Sequence, residues 1–341
     1  MDKIKALILR ELAASRRSIW EPLEAGDFLL RDFIRAANEL YEGGLIEAGE
    51  SGLGITEKGL SALDEAAVAF KSGICDKCSG RRVIPGGGFG EIFNEYKGIV
   101  ANRPPPNPDF CQGYMDEYDV IARAALMHHY DDLSHKDVVL IGDDDLLSIA
   151  LALTGLPHRI CVLDVDERLG DFIAKVNGER GFGIEFRKYD VRDPLPKDLL
   201  EGFDVFSSEP LETLSGLRAF ISRGACCLRE GGSGYFGLTV AEASHGKWLE
   251  IERFVTGMNC VITDIIRGFS RYPTAYGGLS YEGFARGFSF PVAKNPGIRW
   301  YKSALFRFEA LGKPIWAIPP DERIQMEQVD PEEDVTIIYR D

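Results

Sequence analysis

Val138-Val139-Leu140-Ile141-Gly142-Asp143-Asp144-Asp145-Leu146-Leu147-Ser148-Ile149-Ala150 is the stretch that decides the fold. Val138 to Ile141 form an apolar run that reads as a buried strand. Gly142 permits a tight turn. Leu146, Leu147, Ile149, Ala150, Leu151 and Leu153 then make an apolar-rich helix closed by Gly155. A strand, turn and helix in this order open a nucleotide-binding βαβ unit. A pyrophosphate would need several glycines and no negative charge, because backbone N–H groups must approach the anion closely. Three consecutive carboxylates stand there instead, so the expected ligand is cationic.

The chain has 341 residues, enough for two or three domains. Its apolar fraction of 45% and charged fraction of 27% are those of an ordinary globular protein. No apolar run reaches the length of a membrane span, and the N-terminus begins on an amphipathic pattern without a secretory core. A cytoplasmic protein without membrane partners is expected. Seven cysteines scattered over the chain do not form a disulfide framework. The net charge of −15 opposes broad nucleic-acid affinity and suits cationic ligands.

Residues 1–70 read as a winged-helix-like domain. Ile4, Ala6, Leu7, Ile8 and Leu12 make one apolar helix face, and Phe28, Leu29, Phe33, Ile34, Ala37 and Leu40 make another. Leu45 to Ala48 and Gly52 to Thr56 read as the wing hairpin. This segment carries 8 Lys/Arg against 13 Asp/Glu, a poor footprint for DNA, so packing or oligomerisation is its expected role. Residues 71–112 read as a Cys/Gly/Pro-rich connector. Its Cys75-Asp76-Lys77-Cys78 supplies two of the four ligands of a structural zinc. Cys111, His128 and His129 are the residues that would have to complete a mixed site; two reduced thiols and no metal are the simpler expectation. Arg103-Pro104-Pro105-Pro106-Asn107-Pro108 is stiff and extended.

From residue 113 to 341 apolar strands alternate with helices, which predicts a doubly wound, mostly parallel, Rossmann-like sheet with its ligand site at the carboxyl ends of the strands. Acids collect at those ends. Asp143, Asp144 and Asp145 follow the first strand, and Asp164 and Asp166 end the second. Asp190 follows the third, and Glu209 and Glu212 the fourth. A carboxylate after the second strand can accept from both ribose hydroxyls, which suits Asp164. Asp190 suits an adenine amino group. Taken singly, each is as well explained as a turn or cap acid; together they outline a nucleoside side. One of the three aspartates serves as a helix cap on the same reasoning. Three adjacent acids repel one another, and a bound cation, polyamine or magnesium, turns that repulsion into affinity.

These residues resemble a known family. Ile141 to Ala150, then Thr154-Gly155-Leu156-Pro157-His158-Arg159-Ile160, then Val162 to Leu169 are similar to the branched-chain polyamine synthases, N(4)-bis(aminopropyl)spermidine synthases of thermophilic archaea and bacteria. Gly234-Tyr235-Phe236-Gly237, Val261 to Arg267 and Trp300-Tyr301-Lys302-Ser303 extend the resemblance, which reaches the N-terminal domain. It implies a class I methyltransferase/aminopropyltransferase-like fold and no prosthetic group. The implied donor is decarboxylated S-adenosylmethionine and the implied acceptor is the secondary amine of spermidine, with methylthioadenosine released. A homodimer is the expected assembly. Asp144 is assigned to the attacking nitrogen, with Asp143 and Glu209 the next candidates. Gly142, Asp164, Val165 and Asp190 are assigned to the donor, and Asp145, Glu212, Tyr235 and Trp300 to the acceptor. Tyr235, Trp300 and Tyr301 are the aromatic rings expected near a quaternary product nitrogen. The family usually has Asp-Pro-Pro-Glu-Thr after the fourth strand, whereas this chain has Glu209-Pro210-Leu211-Glu212-Thr213, a change that bears on the acceptor. The rival readings are an S-adenosylmethionine-dependent methyltransferase and a polyamine-sensing winged-helix regulator without activity.

Overall fold

The computed structural model describes residues 2–49, 52–63, 73–276, 279–335 and 339–340. The N-terminal part carries helices α1 (Lys3–Ala14), α2 (Trp20–Ala25) and α3 (Leu30–Glu42), the hairpin β1 (Ile46–Gly49) and β2 (Gly52–Ile55), and α4 (Glu57–Ser61). Asp2 and Thr56 start α1 and α4 by accepting from Lys5 N and Gly59 N, which satisfies end donors that the helix cannot. These elements fall within the stretch expected to be winged-helix-like, of which residues 64–70 lie outside the described residues. Its α3, the helix that would enter a DNA groove, faces the rest of the molecule. Asn38 donates to the Gly287 carbonyl and Arg31 to that of Pro331. Trp20 and Phe33 share one apolar core with Phe284, Phe288, Phe290 and Trp300.

Then come α5 (Gly88–Val100), α6 (Glu117–His129), β3 (Asp137–Ile141), α7 (Leu147–Thr154), β4 (Arg159–Asp164), α8 (Glu167–Arg180), β5 (Glu185–Lys188) and β6 (Phe203–Ser208). They are followed by α9 (Leu214–Cys227), β7 (Leu228–Thr239), α10 (His245–Gly257), β8 (Cys260–Arg271), β9 (Ala275–Tyr276), β10 (Leu279–Ser280), β11 (Lys302–Ala310) and β12 (Tyr339–Arg340). Seven strands form one sheet in the order β5-β4-β3-β6-β7-β11-β8. β3 to β7 pair in parallel, and β11 enters antiparallel between β7 and β8. The sheet is Rossmann-like, with helices on both faces. Strand period splits each central strand between two cores. Val139, Ile141, Cys161 and Leu163 pack beneath α9 and α10. Val138, Leu140, Ile160 and Val162 pack beneath α5 to α8. Both faces being covered explains why the strands read as continuous apolar runs.

Two elements escape the sequence pattern. Helix α5 lies within the stretch read as irregular connector, and its Tyr96 and Val100 enter the same core as Val138. Gly88, Gly90 and Gly98 weaken its propensity, and tertiary packing supplies what propensity lacks. Strand β7 begins at Leu228, not Gly234, because Gly231 and Gly232 stand at a register irregularity against β6. Among the described residues, no helix is long and apolar enough to cross a membrane.

Candidate active site

The acidic turn is built by two residues in the left-handed region, Gly142 at φ 75° and Leu146 at φ 58°. Only glycine adopts this conformation freely, so at Leu146 the burial of its side chain holds a conformation that costs about 1 kcal/mol or more. The turn separates the three aspartates. Asp143 is buried and accepts from Ser148 N at 3.2 Å, capping α7, while its other oxygen has no partner. Asp145 is buried and accepts from Met115 N at 2.6 Å, and its carbonyl receives the Tyr96 hydroxyl. Asp144 is half-buried, accepts from Gly113 N at 3.0 Å, and alone of the three lines the cavity. Burial pushes Asp143 and Asp145 well above the usual carboxylate range. Burial, reinforced by the Asp164 charge, lifts Asp144 to about 6.

The cavity has a volume of about 650 Å³ at the carboxyl ends of β3, β4 and β6. One side is lined by Gly142, Asp164, Val165, Asp190, Val191 and the Phe220 ring. Asp164 accepts from Asp143 N at 2.9 Å and Asp166 N at 2.8 Å, so its carboxylate bridges the ends of β3 and β4. Burial raises its pKa, against those two N–H groups. Asp190 pairs with Arg192 at 2.6 Å, which holds its carboxyl below the usual range. Of the two acids on this side, Asp190 is held ionised by Arg192, while Asp164 keeps two backbone N–H partners against its burial.

The other side is lined by Asp144, Glu209, Glu212, Tyr272, Tyr276, Tyr281 and Tyr301. Glu209 accepts from the buried guanidinium of Arg123 and from the Tyr272 hydroxyl. Its carboxylate fills the space above Gly237, where a Cβ would overlap it. Glu212 accepts from Thr239 N at 2.9 Å, and its second oxygen has no partner. Burial and the Glu242 charge push it well above the usual range. Asp330 and Asp334 of the acidic C-terminal stretch also line the cavity. Lys247 holds that stretch, with its ammonium 3.0 Å from Asp330 and 3.1 Å from Glu333, while donating to the Glu212 carbonyl.

The chain that builds this cavity is similar to known proteins. Residues 91–336 fit the sequence model of the Branched-chain polyamine synthase A C-terminal domain. The chain belongs to the branched-chain polyamine synthase family. It is 38% identical over 298 residues to the N(4)-bis(aminopropyl)spermidine synthase of Thermococcus kodakarensis, covering 86% of this chain and 84% of that protein. The Methanocaldococcus jannaschii protein of the same name is 40% identical over 288 residues, covering 83% and 80%. The crystal structure of the Thermus thermophilus branched-chain polyamine synthase, in complex with N4-aminopropylspermidine and 5′-methylthioadenosine, has a TM-score of 0.82 at 32% identity. That match covers 98% of this chain and 93% of the Thermus chain.

The structure brings Gly142, Asp144, Asp164, Val165, Asp190, Glu209 and Glu212 to one cavity. It does not bring Tyr235 or Trp300 there. Tyr235 is wholly buried, donates to Asp132 and accepts from Arg307 Nε at 2.8 Å. Strand alternation points it into the core beneath α6, away from the cavity. Trp300 packs against Phe284 at 4.9 Å and Trp20 at 6.4 Å, joining the N-terminal unit to the sheet, and donates to Glu282. Its neighbour Tyr301 lines the cavity instead. Asp143 and Asp145 stand behind the cavity wall as supports of the turn. Tyr272, Tyr276 and Tyr281 were not anticipated; their close spacing after β8 was the available signal. Among the described residues no three His, Cys, Asp or Glu side chains assemble as a metal-holding group.

Proposed function

We propose that this chain transfers aminopropyl groups from decarboxylated S-adenosylmethionine to the secondary amine of spermidine, releasing methylthioadenosine and building a branched polyamine. The observation that carries this reading is Asp144, a poorly compensated carboxylate in the cavity whose pKa is raised partly by the ribose-side Asp164. Donor and acceptor meet where these two acids meet. A donor that kept its α-carboxylate would set that anion in an acidic pocket; the decarboxylated donor presents only its sulfonium and an ammonium. The relatives named as N(4)-bis(aminopropyl)spermidine synthases and the Thermus complex support the same chemistry.

Each part of the site has a task. Asp164 accepts from the ribose hydroxyls, and Asp190, Val165 and Val191 frame the base. Asp144, ionised above pH 6, takes the proton from the acceptor ammonium and holds the freed amine. The nitrogen lone pair attacks the carbon next to sulfur, the C–S bond breaks, and its electrons neutralise the sulfonium. No cofactor is needed, so alignment of the two reactants supplies most of the acceleration. Glu209, neutralised by Arg123, steers the acceptor without competing for its proton. The enzyme acts in the cytoplasm as a homodimer.

The test is to mix the protein with decarboxylated S-adenosylmethionine and spermidine and to follow products by mass spectrometry. Methylthioadenosine together with an aminopropylated spermidine is expected. Absence of both, or methylation from intact S-adenosylmethionine, would overturn the proposal.

A further inference from the structure

The tyrosines of the cavity share a feature that hydrogen bonding to an amine does not require. Tyr276 donates its hydroxyl to the Tyr114 carbonyl at 2.9 Å, and Tyr281 donates to the Gln112 carbonyl at 2.9 Å. Tyr272 donates to Glu209. All three line the cavity with their hydroxyl protons committed to the protein. What they offer a ligand is the aromatic ring. The rings meet edge to face, Tyr276 against Tyr281 at 6.0 Å and Tyr272 against Tyr301 at 5.5 Å, so each pair is fixed as a corner. Tyr276 and Tyr281 both lie within the field of Asp144, the carboxylate placed at the attacking nitrogen.

The chemistry of repeated transfer gives these corners a use. The first transfer turns a secondary amine into a tertiary one. In a second, the neutral tertiary amine attacks and becomes quaternary, with a fixed positive charge and no N–H. A carboxylate then has nothing to accept, and the alkyl shell keeps water and oxygen atoms at a distance. An aromatic face attracts such a cation through its quadrupole. We infer that the rings of Tyr276 and Tyr281, together with Tyr272 in the same cavity wall, form an aromatic box that selects the quaternary nitrogen and so determines that transfer continues past the tertiary amine. The inference rests on the proposed aminopropyl transfer and adds to it the residues that set the number of transfers.

The experiment compares Tyr276→Leu and Tyr281→Leu with Tyr276→Phe and Tyr281→Phe, using spermidine and excess decarboxylated donor. The ratio of singly to doubly transferred product is read by mass spectrometry. The Leu variants should raise that ratio about tenfold, while the Phe variants keep it near wild type. A ratio unmoved by Leu, or moved as far by Phe as by Leu, overturns the box. A calorimetric titration with tetraethylammonium in the presence of methylthioadenosine tests the same rings without turnover. Wild type should bind it about tenfold more tightly than either Leu variant. Equal binding overturns the inference even if no amine is ever transferred, and a wild type that binds the probe yet releases no methylthioadenosine condemns the transfer reading alone.

Discussion

The side of the cavity proposed for the nucleoside and the side proposed for the amine hold similar acids with different partners. On the nucleoside side, Asp164 has two backbone N–H partners and Asp190 an arginine. On the amine side, Asp144 has one N–H, and Glu212 has one N–H with its second oxygen unpartnered. Compensated carboxylates act as directional acceptors and can bind a neutral diol. Uncompensated ones store repulsion that a cation relieves. On the proposed function, the polyamine meets Asp144 and Glu212, which have one N–H partner each, and the nucleoside meets Asp164 and Asp190, which have more.

The largest expected effect comes from removing the uncompensated charge. Asp144→Asn should lower kcat/KM for spermidine by about 10³-fold, measured as methylthioadenosine release. It should also stabilise the ligand-free protein. The folded pKa of about 6 lies above the unfolded value, so the stabilisation present at low pH is lost as pH rises through 6. At pH 8 the ionised side chain then costs on the order of 2–3 kcal/mol. Denaturant unfolding at pH 8 should show the variant more stable by about 1–2 kcal/mol, because the Asn carbonyl keeps the Gly113 hydrogen bond in a weaker, neutral form. Lower stability together with lost activity would place Asp144 among the structural acids.

Asp164→Ala is the matching change on the compensated side. It should weaken methylthioadenosine binding by about 30-fold, from the loss of charge-assisted hydrogen bonds, and leave spermidine affinity much less changed. Calorimetry with each ligand separates the two; equal losses would erase the distinction between the sides. A smaller effect is expected at Gly237→Ala, where the new methyl displaces the Glu209 carboxylate from Arg123. About 1–3 kcal/mol of stability should be lost, with a raised KM for spermidine and an unchanged one for the donor. Tyr235→Phe should cost about 1 kcal/mol, because Asp132 keeps Arg307 and Ser233, and should leave the product spectrum untouched.

How much of this was legible in the sequence follows from what each signal encodes. The strands of the parallel sheet and the acids at their ends could be read because both faces of those strands are covered and strand ends are local to the pattern. The separation of Asp143, Asp144 and Asp145 into cap, cavity wall and support could not, because it depends on Leu146 adopting a left-handed conformation. Tyr235 and Trp300 were misplaced because an aromatic residue next to a motif carries no information about which face of a strand or which side of an interface it takes. The N–H groups of residues 113–115 and the Lys247 contact with Asp330 link positions far apart in the chain, and no local period reports them.

In the proposed function Asp144 binds the cation of the amine side through its ionised carboxylate. Spermidine stays fully protonated between pH 5 and 7, because ordinary amines titrate well above that range. Its affinity, measured by calorimetry in the presence of methylthioadenosine, therefore reports the protein's titration. Affinity is expected to weaken as pH falls through about 6, by up to tenfold per pH unit, and this dependence to disappear in Asp144→Asn. A wild-type affinity that is flat from pH 5 to 7, or an Asp144→Asn protein that binds spermidine as tightly as wild type, would contradict it.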